Sequence, residues 1–80
     1  MSEMTTVEDL VARVFGVERR DIDERSSPET VEGWDSMGHL NLVMELERSF
    51  KLSIAIADAI EMANVRKIKE ILRGYGALPS

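Results

Sequence analysis

The sequence predicts an all-α fold, a four-helix bundle of three longer helices and one short helix with a long first loop. Three observations carry this. Apolar residues recur at helical spacing in separate segments, each flanked by residues that start or stop helices. No segment alternates with period two over a useful length. The chain has 80 residues, 44% hydrophobic and 31% charged, the profile of one small soluble globular domain spanning 1–80.

The first helix is expected over 6–15. Val7, Leu10, Val11 and Val14 share one face. Thr5 and Glu8 have the spacing of a capping box. Gly16 stands where a left-handed residue ends a helix, and Val17 can fold back on the last turn.

Residues 18–34 carry no helical stripe. They are rich in Asp, Glu, Arg and Ser, with Pro28 among them. Ile22 and Val31 are the expected pins of this connection to the core. Loops of this length in a small domain are uncommon and often functional.

The second helix is expected to begin at Asp35 or Ser36 and end near Phe50, with Asp35 as N-cap. Leu42, Val43, Leu46 and Phe50 fall on one arc of the helical wheel; Met37, Leu40 and Met44 fall on another. The second arc is open to two uses, a partner or burial against the short helix. That short helix is expected at 57–62. Asn64 then caps a last helix from Val65 to about Arg73, with Val65, Ile68, Ile71 and Leu72 apolar. Gly74 and Gly76 stop it, and residues 78–80 are expected to fray.

Composition excludes several functions. The net charge is −5, which opposes nucleic-acid binding because that needs clustered Lys and Arg. The absence of Cys removes disulfides, thiolate metal sites and a Cys nucleophile. No run is long enough to span a bilayer, and no basic-then-apolar leader stands at Met1, so a cytoplasmic protein is expected. Ten acids face four bases before Ser36, against five and six from Ser36 onward. That asymmetry reads either as a solvated acidic loop or as a face for basic partners.

Three constellations invite chemistry. Asp21, Asp23 and Glu32 match positions 1, 3 and 12 of an EF-hand loop, but Arg25 falls on a ligand position and Ser26 on the obligatory Gly. Ser36 and His39 are one helical turn apart, yet a hydrolase also needs an orienting acid and an oxyanion hole; the other reading of His39 is a partly buried side chain near the helix start. The run Gly33-Trp34-Asp35-Ser36-Met37 places a hydroxyl directly after a capping Asp. Such a helix start favours an attached phosphate through its unpaired N–H groups and its dipole, and it equally suits plain capping.

Asp35-Ser36-Met37 resembles the Asp-Ser-Leu motif of acyl carrier proteins. The resemblance runs roughly from Val7 to Leu72. Phe15-Gly16-Val17 is similar to the end of that family's first helix, and Leu42-Val43-Met44-Glu45-Leu46-Glu47 with Phe50 to its second. Ile54, Ala59, Met62 and Val65 fall on its core positions near the third. The resemblance implies a carrier without catalytic activity. It implies 4′-phosphopantetheine moved from coenzyme A to Ser36 by a phosphopantetheinyl transferase, and acyl groups held on it as thioesters. The missing Cys then makes sense, since the cofactor supplies the thiol. Acyl-loading and acyl-processing enzymes are the implied partners of a monomeric carrier, and the implied recognition residues are Asp35, Met37, Leu40, Met44 and Glu47.

The chain also departs from the fatty-acid pattern. Gly38, His39, Asn41 and Arg48 dilute acid on the second helix. Ile54-Ala55-Ile56-Ala57 lacks the usual Pro and acids before the third, and Ile60 is apolar. Stand-alone carriers of specialised, polyketide-type pathways are more similar. The Ser-Met-Gly run is also similar to D-alanyl carriers. Peptidyl carriers show Gly-Gly where this chain has Gly33-Trp34. A helical interaction domain that carries nothing is the alternative from another class. Trp34 is expected to cover the upper edge of the core, with a place beside the arm as the other option.

Overall fold

The computed structural model describes residues 6–78. Four α-helices occur in chain order: α1 (Val7–Phe15), α2 (Ser36–Phe50), α3 (Ile56–Glu61) and α4 (Val65–Gly74), with a 3₁₀ turn at Arg19–Asp21. No strand occurs among the described residues. The all-α expectation holds: α1 starts one residue later than expected, α3 lies one residue earlier, and α4 starts at Val65 as expected and runs one residue further.

Side-chain caps set the starts of three helices. Thr6 Oγ1 accepts from the Asp9 N–H at 3.1 Å and Asp9 Oδ2 accepts from the Thr6 N–H at 3.2 Å. The capping box is therefore Thr6–Asp9, one residue later than expected, and Thr5 lies outside the described residues. Glu8 is instead drawn inward to Lys69. Asn64 Oδ1 accepts from the Lys67 N–H at 2.7 Å. Gly16 ends α1 at φ +67°, and the Val17 N–H reaches the Ala12 carbonyl at 3.0 Å. This is the fold-back that a left-handed glycine permits.

α1 packs on α2 and α4, and α3 on α4. Leu10, Leu42, Leu46, Ile68 and Leu72 are fully buried between them. Each such side chain stabilises the fold by about 1.5–3 kcal/mol relative to exposure. Met62 and Val65 join this core, Ile54 sits at its edge, and Ala59 is half-buried. Ile22 and Val31 are buried as anticipated.

The long first connection is more ordered than its acidity suggests. Ser26 and Ser27 are buried. Ser26 Oγ accepts from the Asp23 N–H at 2.9 Å, and Thr30 Oγ1 from the Ser27 N–H at 3.0 Å. The carbonyls of Ser26 and Glu24 accept from the N–H groups of Val65 and Arg66, each at 3.0 Å. The loop thus satisfies donors that α4 cannot satisfy internally. Ion pairs tie the connection to the helices: Arg19 to Asp9 of α1, and Glu24 to Lys69 of α4, which also holds Glu8 of α1. At the other end Leu78 packs against the core rather than fraying; Pro79 and Ser80 lie outside the described residues. No helix among the described residues is long and apolar enough to cross a membrane.

Candidate functional site

The start of α2 is built from the loop before it. Trp34 is 3% exposed and stacks on Phe15, ring centroids 5.5 Å apart. It covers the core edge, as expected. Gly33 turns the chain at φ +93° and lays its backbone across Gly38 on the first turn of α2. Asp35 is extended and caps the helix, its Oδ1 accepting from the Gly38 N–H at 2.8 Å. Its carbonyl accepts from the His39 N–H at 2.7 Å. Capping falls to Asp35, so Ser36 stands as the first helical residue with its side chain in solvent. The first turn of α2 holds no acidic residue. Its N–H groups and dipole present a positive end to anything carried there.

The two apolar arcs of α2 separate as the wheel predicted. Leu42, Val43 and Leu46 are buried, whereas Met37 is 69% exposed and Leu40 and Met44 are each 54% exposed. Across from them α3 presents Ile56 and Ile60, 80% and 75% exposed. Between the helices lies an open groove of about 460 Å³. Ser36 stands at it, Leu40 and Met44 form one wall, Ile56 and Ile60 the other, and Val43 and Ile54 contribute their edges. Five exposed large apolar side chains beside one exposed hydroxyl mark an interaction surface rather than scattered surface residues.

Of the residues singled out from sequence, Ser36, Leu40, Met44 and Glu47 line this groove. Met37 is exposed on the first turn and Asp35 caps it. Glu47 has a structural duty as well: its Oε2 accepts from the Ile54 N–H at 2.7 Å, tying the segment before α3 to α2. Sequence reasoning missed the contribution of Ile56 and Ile60 as a wall. Their only signal was apolarity where the resembled family carries acid.

His39 is not poised on Ser36. Its Nδ1 accepts from the Trp34 Nε1–H at 2.9 Å, and its Nε2 lies 2.7 Å from the Ala59 carbonyl oxygen. Indole N–H only donates, so the ring proton sits on Nε2 and both nitrogens are committed. In the acidic loop Asp23 Oδ1 accepts from the Arg25 N–H at 2.8 Å, an ordinary turn. Among the described residues no group of three His, Cys, Asp or Glu is placed to hold a metal ion.

The family model for the phosphopantetheine attachment site matches residues 5–72. No curated protein matches the chain. The match covers the helices from α1 to Leu72 and the whole start of α2. The chain belongs to the phosphopantetheine-attachment family, carriers of the acyl-carrier type whose domain holds a covalent 4′-phosphopantetheine.

Proposed function

We propose that this protein is an acyl carrier protein that bears its 4′-phosphopantetheine on Ser36. It delivers acyl groups to partner enzymes of fatty-acid or polyketide-type biosynthesis. The observation that carries the reading is the exposed Ser36 hydroxyl at the first position of α2, beside an apolar groove. The residues present suit the group. A phosphodiester on Ser36 meets the N–H end of α2 with no acidic residue in that turn. The apolar walls at Leu40, Met44, Ile56 and Ile60 suit an arm and its cargo. When bound, the arm supplies the thiol on which acyl groups ride as thioesters. Tethering raises the effective concentration of cargo at each partner's active site.

In this reading the chain performs no chemistry itself and works as a cytoplasmic monomer. A phosphopantetheinyl transferase and the acyl-loading and acyl-processing enzymes read Asp35, Met37, Leu40, Met44 and the outer edge of Glu47. The second α2 arc is apolar and its exposed flank carries Asn41 and Arg48. Recognition therefore rests more on apolar contact than on steering of basic partners.

A thiol titration tests the reading, because the chain contains no Cys. After incubation with coenzyme A and a broad-specificity transferase, and removal of free coenzyme A, the wild type should gain a single reactive thiol. Ser36→Ala should gain none. Equal gain in the variant would place the arm elsewhere.

A further inference from the structure

We propose that His39 is a positioning residue, a latch that fixes α3 against the first turn of α2 and so sets the wall of the groove beside Ser36. α3 has little of its own to hold it. It is six residues long, lacks a side-chain cap and has no fully buried residue. Isolated helices of that length do not persist in water. Its outward residues, Ile56 and Ile60, face solvent. Apolar anchors flank it, Ile54 at the core edge and Met62 within the core, and Ala59 packs against that core; polar ties fix its seat between those anchors. Glu47 takes the Ile54 N–H, and the Tyr75 hydroxyl accepts from the Ala55 N–H at 3.0 Å while donating to Asp58. These ties secure the entry and first turn. His39 reaches further along the helix, donating from Nε2 to the Ala59 carbonyl at 2.7 Å.

The latch is anchored in the core. Trp34 is buried, stacked on Phe15, and lies nearly parallel to the His39 ring at 12°. Its indole N–H can only donate, so it holds Nδ1 as an acceptor and leaves the proton on Nε2, where Ala59 needs it. A neighbour with the opposite role would reverse the tautomer and leave two acceptors, Nε2 and the Ala59 carbonyl, facing each other. The chain Phe15–Trp34–His39–Ala59 thus links the packed core, the loop before Ser36 and the groove wall. What the latch does for cargo rests on the carrier reading above; the latch itself does not.

Site-resolved hydrogen exchange and imidazole nitrogen NMR on the full unmodified chain test it. The wild type should show the Nε2–H tautomer of His39 and a protected Trp34 indole N–H. His39→Ala should speed exchange at the Ala59 and Met62 amides about tenfold more than at Leu10 and Ile68. His39→Gln, which carries a donor and an acceptor at similar spacing, should restore protection. Trp34→Phe keeps an aromatic ring, removes the donor and should loosen the same amides, which keeps the proposal testable if His39→Ala fails to fold. An Nδ1–H tautomer, or uniform acceleration across all helices, would overturn the latch. Thiol gain at Ser36 is read separately. A chain with the local exchange pattern but no gain sustains the latch and rejects the carrier reading; gain without the pattern does the reverse.

Discussion

The carbonyl oxygen of Gly33 lies directly over Gly38, so close that a Cβ at position 38 would stand 2.1 Å from it and 2.7 Å from Phe15 Cε1. This contact seats the loop on α2 and brings Trp34 and Asp35 to their stations. On helix propensity alone, Gly38→Ala would stabilise by about 1 kcal/mol. The contact reverses the sign. We expect a loss of about 1–3 kcal/mol from overpacking against backbone, measured by urea denaturation. A gain in stability would mean that the loop yields freely at Gly33.

Asp35 and Ser36 are adjacent but separable. Asp35→Ala removes the cap on the Gly38 N–H and should cost about 0.5–2 kcal/mol. Ser36→Ala should change stability by less than about 0.5 kcal/mol. Thermal unfolding of the two variants distinguishes them; a large loss in Ser36→Ala would make that hydroxyl structural.

Met44→Glu and Leu46→Ala should likewise part company. Met44 is 54% exposed on the groove wall and Leu46 is fully buried. The first should leave the unfolding midpoint nearly unchanged while slowing transferase-dependent thiol gain. The second should cost about 2–5 kcal/mol through a cavity. Melting of Met44→Glu would assign Met44 to the core.

Acid should weaken the fold through Glu8. Burial works to raise its carboxyl, but hydrogen bonds from Lys69 and from its own backbone, with the charges of Lys69 and Arg19, outweigh it and hold it below 4.5. Its hydrogen bond to Glu8 is the main cause that raises Lys69 above 10.5. A carboxyl depressed on folding stabilises above its unfolded pKa and loses that contribution as pH falls through the folded one. The raised lysine contributes below its unfolded pKa and fades as pH rises through the folded value. Glu8→Gln should therefore be less stable than wild type at neutral pH, by about 1–3 kcal/mol. The gap should close as pH falls below 4.5, read by denaturation at a series of pH values. A gap independent of pH would assign Glu8 a packing role only.

Local chemistry made much of this fold readable in sequence. Asp35, Asn64 and Gly16 act on backbone groups within a few residues, so their types announce their roles. Ile22 and Val31 stood out as lone apolar residues in a polar stretch. Longer-range relations were hidden. Thr5–Glu8 and Thr6–Asp9 have the same spacing, and the claim on Glu8 comes from Lys69 in α4. Gly38 looked like a diluted acidic position until the Gly33 carbonyl was seen above it. His39 offered two readings, a partner for Ser36 or a half-buried side chain, and its true neighbours are Trp34 and an α3 backbone carbonyl. The serines of the first loop gave no sign that they would be buried, because their partners are turn groups close by: the Asp23 N–H for Ser26, and the N–H and carboxylate of Glu29 for Ser27.

The most direct test of the account is an intact mass with peptide mapping, after the wild-type chain meets coenzyme A and a broad-specificity phosphopantetheinyl transferase. A carrier that bears its arm on Ser36 gains a single phosphopantetheine, on the peptide that contains Ser36. A folded chain that gains nothing beside a control carrier that is fully modified, or a gain on any other residue, would contradict the carrier reading at Ser36.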